Sequence, residues 1–189
     1  MRSLTLTQGL ATAAAQLRVD VPPTALADAR EFTVRRYEQQ LIDAGHDHHF
    51  VTAVLPLADS PAIADEALAE LGRRSGQADF AELVAALQRV RRIVPADVIG
   101  GPHPESLTEP AELALADAVA KVTSALAGST TLAGFADIAV GLVGPVNDFF
   151  DGVLVMAEDP DVRAARLGLL ASVRDLADDV LDWAALPRS

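Results

Sequence analysis

Arginine carries nearly all of the positive charge in this sequence, which contains a single lysine. Guanidinium groups bind phosphate through paired hydrogen bonds and stack on unpaired bases, so clustered arginines are candidate ligands for nucleic acid. They can also form salt bridges with neighbouring carboxylates, and in an acidic chain the spacing alone favours this second interpretation. The clusters are Arg35 with Arg36, Arg73 with Arg74, Arg89 with Arg91 and Arg92, and Arg163 with Arg166 and Arg174.

A run of histidine and aspartate at residues 46–49 is the densest group of potential metal ligands. Imidazole and carboxylate together could bind zinc or iron. Four consecutive residues cannot all converge on one ion, however, and no H-E-x-x-H motif is present. We therefore predict that this run begins a helix, with Asp47 capping its first turn, and is not a metal site. The remaining histidine, His103, lies in a proline-rich segment.

The residue patterns of familiar catalytic centres are missing from this sequence. It contains no cysteine and no G-x-S-x-G motif, and its histidines have no obvious Ser and Asp partners. Gly100 and Gly101 do not follow a predicted strand, so they do not resemble a phosphate-binding loop. The carboxylates within residues 175–182 are typical of a solvated helix flank. We predict that this chain holds no catalytic centre.

The composition is that of an acidic chain whose apolar residues are mostly small. Its 189 residues carry a formal charge of −12, and 50% of them are hydrophobic although only 4% are aromatic. Such acidity excludes a protein that coats nucleic-acid duplexes indiscriminately. The longest apolar stretch, residues 138–146, is nine residues long, whereas a bilayer span needs about 20. We therefore expect no membrane association and a cytoplasmic location.

Helical periodicity recurs along nearly the whole chain, and no segment alternates with the period of a strand. The clearest case is residues 78–94, in which six large apolar residues fall on one helical stripe. The pattern predicts an all-α helical bundle of about seven to nine helices. The predicted helical segments are 4–17, 24–44, 48–57, 61–74, 78–94, 110–126, 132–143, 146–157 and 160–183.

The last of these helices has the most fully specified start. Asp159 can accept the free N–H groups of the first turn, Pro160 occupies a position that needs no donor, and Asp161 complements the helix dipole. Apolar residues from Val162 to Trp183 then repeat at spacings of seven, four and three. This pattern predicts an apolar seam that packs against neighbouring helices.

Residues 95–108 form the longest segment that is rich in proline and glycine. Such a segment interrupts helical periodicity and can separate two packed parts of one domain. We expect residues 1–189 to form a single helical domain, in which this loop joins two packed halves, 1–94 and 109–189.

The sequence from Val146 to Leu170 resembles the closing motif of the bacterial glycyl-tRNA synthetase β subunit. That family reads approximately V-x-x-F-F-D-x-V-M-V-M-x-x-D-x-x-x-R-x-N-R-L-x-L-L, a long and specific pattern. The residues that match it are Phe149, Phe150, Asp151, Val153, Val155, Met156, Asp159, Arg163, Arg166, Leu167, Leu169 and Leu170.

Stretches farther upstream resemble the same family in the same order, so the resemblance covers about residues 4–183. Phe32 and Arg36 match F-x-x-x-R, residues 88–93 are similar to K-R-x-x-N-I, and residues 109–115 match E-P-A-E-x-x-L. Four polar positions depart from the family pattern. These are His49, Gln88, Arg92 and Ala165, which stand where the family has Asp, Lys, Asn and Asn.

The resemblance implies a C-terminal, DALR-like helical anticodon-binding domain that binds tRNA-Gly. It further implies that the catalytic α subunit, or the remaining synthetase domains, are partners of this chain. ATP and glycine would be handled by the catalytic subunit, so we expect no cofactor in this chain. The chain is also expected to end where the family ends.

Binding an anticodon requires a few arginines beside unpaired bases, which an acidic protein can supply locally. From this resemblance we predict that five arginines face the tRNA. Adjacent aromatic residues on a helix point about 100° apart, and we expect both Phe149 and Phe150 to pack within the protein. The predicted tRNA-facing residues are Arg36, Arg89, Arg92, Arg163 and Arg166.

The net charge keeps a second function open. A freestanding, repurposed paralogue of this domain could act as an acidic helical module that binds a basic protein partner. Selective binding of tRNA-Gly would distinguish the first function from the second.

Overall fold

The computed structural model describes residues 5–101, 106–127 and 131–188, so His103 lies outside the described residues. Within these ranges the chain forms nine α-helices and three short 3-10 helices, with no strand, which confirms the predicted all-α fold. The 3-10 helices are Leu55–Leu57, Val140–Leu142 and Trp183–Ala185. The α-helices are α1 (Leu6–Ala14), α2 (Pro23–Asp43), α3 (His48–Val54), α4 (Pro61–Arg74), α5 (Ala78–Ile93), α6 (Pro110–Ala125), α7 (Leu132–Ala139), α8 (Val143–Gly152) and α9 (Pro160–Asp178).

The chain divides into two compact units, residues 1–73 and residues 74–189. This boundary lies upstream of the predicted division at residues 95–108. The reason is that α5 packs against α7, α8 and α9, so it belongs to the second unit despite the proline-rich segment that follows it.

In the first unit, Asp59 joins α1 and α2 to the connection between α3 and α4. Its backbone carbonyl accepts a hydrogen bond from the Leu6 N–H at 2.7 Å. Its carboxylate accepts from the Thr7 hydroxyl at 2.6 Å and from the Arg30 guanidinium at 2.9 Å. The Thr7 hydrogen bond is the largest of the effects that hold the pKa of Asp59 below its usual value. One carboxylate therefore orders three neighbouring segments.

The long helix α2 contributes little to the core of the first unit. It has 21 residues but buries only Leu41, and it ends where Gly45 adopts a φ of +89°. This conformation favours glycine because it lacks a Cβ atom. Most of the α2 surface is therefore open to solvent, including the side chain of Phe32, which is 66% exposed.

The second unit has a core of larger side chains, centred on Trp183. The indole ring packs at 6.2 Å from the Phe80 ring and 5.5 Å from the Phe135 ring, measured between centroids. Its N–H donates to the Ala177 carbonyl at 2.9 Å. All six large apolar residues of the predicted stripe are buried, as the helical spacing requires. They are Phe80, Leu83, Val84, Leu87, Val90 and Val94.

Two helices end earlier than the periodicity predicts. Helix α8 stops at Gly152 because Val153 is extended, with φ −124° and ψ 128°, whereas the pattern predicted a helix to residue 157. Helix α9 stops at Asp178, and Trp183 lies in a separate 3-10 turn. Trp183 is buried all the same, so its place in the apolar repeat correctly predicted burial but not the length of the helix.

One helical stretch among the described residues, Leu132–Gly152, is long and apolar enough to cross a membrane by length and composition. It consists of α7, a 3-10 turn and α8, and both Phe135 and Phe149 are buried within the second unit. Buried core helices of soluble proteins can be equally long and apolar.

Candidate nucleic-acid interface

Arg89 and Phe150 form a stacked pair on the second unit, where α5 and α8 meet. The Arg89 Cζ atom lies 4.2 Å from the centre of the Phe150 ring. A guanidinium over an aromatic face is attracted by the ring quadrupole, and its flat group can also stack on another planar group. Both side chains are half-buried, so part of the pair remains open to solvent.

The neighbouring Phe149 anchors this arrangement. Phe149 is fully buried, and its ring meets the Phe150 ring edge-on with centroids 5.9 Å apart. The prediction that Phe149 packs in the core is confirmed, and Phe150 packs on Phe149 and Arg89. The core thus fixes the position of the ring on which the Arg89 guanidinium rests.

Arg92 lies three residues beyond Arg89 and therefore on the same face of α5. Its side chain is exposed, and no ion pair joins it to any residue in the part of the chain that the structure describes. Arg91, between them, points elsewhere and pairs with Asp178 of α9. Arg89 and Arg92 of α5 are therefore at least partly open to solvent, whereas Arg91 joins α5 to α9.

Gln88 fixes α5 against the C-terminal segment. Its side-chain amide donates to the carbonyls of Trp183 and Leu186, both at 2.9 Å. This is one of the positions that departs from the family pattern, in which lysine stands at residue 88. The polar side chain here, on the residue before Arg89 in α5, satisfies two backbone carbonyls of the same protein.

Arg166 faces the interior of the second unit. Its Nε donates to Glu112 Oε1 at 2.6 Å, and its Nη1 donates to the Leu154 carbonyl at 2.8 Å. Its side chain is 13% exposed and that of Glu112 is fully buried. This buried ion pair links α9 to the start of α6 and to the segment that follows α8.

Glu112 is itself held at the first turn of α6. Its Oε2 accepts from the backbone N–H groups of Thr108 at 2.7 Å and Glu109 at 2.8 Å, which completes a capping box. Burial by itself would raise the pKa of Glu112. The hydrogen bonds from the Glu109 N–H, from Arg166 and from the Thr108 N–H outweigh that effect and hold the pKa below its usual value. Glu112 therefore stays ionised.

Arg163 lies one turn before Arg166 on α9 and holds the same connecting segment. Its Nη1 donates to the Ala157 carbonyl at 2.7 Å and to the Glu158 carbonyl at 3.4 Å. Asp159 caps α9 immediately after this segment and accepts from the N–H groups of Asp161 and Val162, as predicted. The two predicted tRNA-facing arginines on α9 thus donate to the protein's own backbone, and their contact with tRNA stays a prediction.

Arg36 is the one predicted site residue in the first unit. It lies exposed on α2, one turn after Phe32, and no ion pair joins it to a described residue. Its neighbour Arg35 pairs with Glu31 on the same helix. The proposed role of Arg36 stays a prediction.

Arg174 has a positioning role that the sequence did not indicate. Its guanidinium donates to the Pro95 carbonyl at 3.0 Å and the Val98 carbonyl at 2.5 Å, and it also contacts Asp175. It therefore ties the segment after α5 to α9. The signal available in the sequence was its spacing of eleven from Arg163, which places both on one helix face but does not identify their partners.

The histidine run begins α3, as predicted. Asp47 caps the helix by accepting from the N–H groups of His49 and Phe50. The described parts of the chain contain no group of three or more residues that could hold a metal ion.

Residues 83–183 match the family described as DALR anticodon binding domain. The chain belongs to this family. The curated relatives include a glycine–tRNA ligase β subunit of Acinetobacter baylyi, 36% identical over 168 residues that make up 85% of this chain and 24% of the relative. A β subunit from Geotalea uraniireducens is 39% identical over 64% of this chain and 18% of the relative. The chloroplastic/mitochondrial glycine–tRNA ligase 2 of Arabidopsis thaliana is 29% identical over 91% of this chain and 17% of the relative.

The chain spans about a quarter or less of the length of these relatives. The part that matches the DALR family lies within the second unit and contains Arg89, Arg92 and Phe150, together with the α9 arginines. The DALR domain thus contains two sets of arginines with the same spacing and different surroundings. Those on α5 meet an aromatic ring and solvent, and those on α9 meet carbonyls and a buried carboxylate.

Proposed function

We propose that this chain is the tRNA anticodon-binding module of a glycine–tRNA ligase and contributes tRNA-Gly recognition to aminoacylation. One observation carries the proposal: the Arg89 guanidinium lies over the Phe150 ring in a domain of the anticodon-binding family. The names of the relatives support glycine as the amino acid concerned.

The chemistry of the pair suits an unpaired base. Proteins bind single-stranded RNA by stacking bases on aromatic rings and on guanidinium planes, and each base so stacked is worth about 1–3 kcal/mol. Arg89 supplies such a guanidinium group, and the Phe150 ring supports it. Arg92, one turn farther along α5, is positioned to bind an adjacent phosphate, and an exposed arginine does this without a broad basic surface.

The net charge of −12 is compatible with this mode of binding. Long-range attraction between an acidic domain and RNA is weak, so affinity must come from short-range stacking and from a few local arginines. The acidity would suppress binding to RNA that lacks a matching unpaired loop. In this proposal the charge contributes to selectivity.

The same proposal assigns the remaining chemistry to other chains or domains. The catalytic subunit or the remaining synthetase domains would bind ATP and glycine, and this module would position the tRNA for them. We propose a cytoplasmic location, as in bacteria. Arg36 of the first unit would supply a further phosphate contact.

The test is a titration of the chain with fluorescently labelled tRNA-Gly and with tRNA-Gly whose anticodon has been replaced. We expect tRNA-Gly to bind at least about tenfold more tightly, since loss of a base-specific contact costs about 1–3 kcal/mol. Arg89→Gln should weaken the binding of both RNAs, because every base can stack on the flat guanidinium group. Lys121→Gln is the matched control, because it removes one exposed positive charge from α6 of the same unit.

Equal affinity for the two RNAs, or no binding at low salt, would refute the proposal. It would favour the alternative of an acidic protein-interaction module, for which the net charge is the supporting observation. In that case a basic protein partner should bind with an affinity that falls as salt is raised.

A further inference from the structure

The segment between α8 and α9 starts with extended backbone at Val153, bends at residues 155 and 156, and alternates between buried and exposed side chains. Val153 and Val155 are buried, whereas Leu154 is 71% exposed and Met156 is 62% exposed. The segment begins at the end of α8, so Leu154 lies four residues beyond Phe150. Two large apolar side chains therefore face solvent four and six residues after Phe150 in the chain.

The backbone of this segment is held on the side chains of α9. Arg166 donates to the Leu154 carbonyl while it pairs with the buried Glu112, and Arg163 donates to the carbonyls of Ala157 and Glu158. The two valines anchor the same segment from the core. An exposed apolar pair held in place from both sides is preorganised, so little conformational entropy is lost when a ligand binds to it.

We propose that Leu154 and Met156 contact unpaired bases of the bound RNA beside Phe150, and that Arg163 and Arg166 are positioning residues for them. This inference rests on the proposed function and extends its interface along the segment after α8. It also assigns the α9 arginines a role other than phosphate binding, because their donors are directed at carbonyls and at Glu112.

Two observations favour a base over a protein partner as the occupant. The exposed apolar surface is formed by two side chains, whereas a stable protein interface buries about 800 Å² on each partner. The two side chains also follow Phe150 closely in the chain, and the Arg89 guanidinium lies over the Phe150 ring. A flat base is of a size that two side chains can cover, and it can also stack on the Arg89 guanidinium.

The test measures the affinity for tRNA-Gly as a function of salt concentration in the full chain. The variant Leu154→Ser with Met156→Ser should bind about tenfold more weakly, since the apolar surface of two side chains is then no longer removed from water on binding. The slope of log affinity against log salt should not change, because no phosphate contact is lost. Arg92→Gln provides the reference, since loss of one phosphate contact on a single strand reduces the slope by about 0.7.

The positioning role is tested in the same titration with Arg163→Gln and with Arg166→Lys, which keeps the charge. Both should weaken binding by several fold and leave the salt slope at the wild-type value. Arg163→Gln keeps the test valid if Arg166→Lys fails to fold, because Arg163 is not part of the buried Arg166–Glu112 pair. The fluorescence of Trp183, the single tryptophan, checks that the second unit is folded in each variant.

Val140→Ser is the matched control for the apolar pair. Val140 is 40% exposed and lies just before α8, so the length of that helix separates it from Leu154. It should bind tRNA-Gly as the wild type does.

Three results would overturn the inference. If the Leu154 and Met156 double variant binds tRNA-Gly like the wild type, the apolar pair does not contact RNA. If it keeps its RNA affinity and loses binding to a catalytic subunit, the segment is a protein interface. If Arg163→Gln lowers the salt slope as much as Arg92→Gln does, Arg163 binds phosphate. In all three cases selective binding of tRNA-Gly by the wild type would persist, so the proposed function would stand. If the wild type shows no selectivity, both fall together.

Discussion

Helices α5 and α9 each carry two arginines three residues apart, and the second unit uses them in opposite ways. Arg89 and Arg92 of α5 face an aromatic ring and solvent. Arg163 and Arg166 of α9 donate to backbone carbonyls and to a buried glutamate. The residue type and the spacing are identical, so the difference comes from what each helix face meets. An arginine is available for a ligand only where the fold leaves its donors unused.

The largest effect that this comparison predicts is on stability. Arg166→Met should lower the free energy of unfolding by about 3–5 kcal/mol, because it leaves the buried carboxylate of Glu112 without its cation. Urea unfolding followed by Trp183 fluorescence measures this change. Lys121→Met is the control, because Lys121 pairs with Asp117 at the surface, and such pairs contribute about 1 kcal/mol or less. Equal losses in the two variants would show that the buried Arg166–Glu112 pair contributes no more to stability than a surface ion pair.

The same ion pair predicts a dependence of stability on pH. The pKa of Glu112 is lower in the folded protein than in the unfolded chain. The unfolded chain therefore binds more protons in the acidic range, so this contribution is complete above the unfolded pKa of about 4.3 and is lost as pH falls through the folded pKa. The unfolding free energy should decrease more steeply below pH 5 in the wild type than in Glu112→Gln. Parallel pH profiles would contradict the role assigned to Glu112.

A smaller effect is expected from the residue that fixes α5. Gln88→Ala removes two hydrogen bonds to the carbonyls of Trp183 and Leu186 and should destabilise the protein by about 1–3 kcal/mol. Because the C-terminal segment holds α5 in position, tRNA affinity should fall as well. Gln88→Lys is the informative comparison, since lysine can still donate to the carbonyls and should restore most of both properties. If Gln88→Lys is as unstable as Gln88→Ala, the hydrogen bonds to the two carbonyls are not what residue 88 contributes to stability.

The smallest effect separates the two arginines of α5 from each other. Arg89→Lys should weaken tRNA-Gly binding about threefold, because lysine keeps the charge but lacks the flat group that stacks on Phe150, a contact worth about 0.5–1 kcal/mol. Arg92→Lys should bind almost as the wild type does, since a lysine can also neutralise a phosphate. Equilibrium titration at fixed salt distinguishes the two. Equal losses would assign both arginines the same kind of contact.

The helices and the core of this chain could be predicted from its sequence to a large extent. The stripe from Phe80 to Val94 is buried as its spacing requires, and Asp47 and Asp159 cap the helices that they precede. These features depend on local hydrogen bonds and on helical period, which neighbouring residues determine. The early end of α8 at Gly152 could not be predicted in this way, because the segment after it is bound at the Leu154 carbonyl by Arg166, which lies on the distant helix α9.

The candidate site was predictable only in part. Resemblances in the closing motif and in two upstream stretches pointed to five arginines together and did not separate them: Arg36, Arg89, Arg92, Arg163 and Arg166. The pairing of Arg166 with Glu112 joins residues that are 54 positions apart, and that of Arg174 with Pro95 joins residues 79 apart. Contacts over such separations leave no periodic pattern in the sequence.

The sequence by itself determined the class of fold, the helix starts, the buried stripes and the family, because these depend on local chemistry and on a long, specific motif. Only the tertiary structure decided which guanidinium groups serve the protein and which remain free for a ligand. The physical reason is that an arginine has donors on several sides, and the groups that satisfy them come from whichever distant segment packs beside it. For this chain those groups are a buried glutamate and five carbonyls, and they leave Arg89 and Arg92 facing outward.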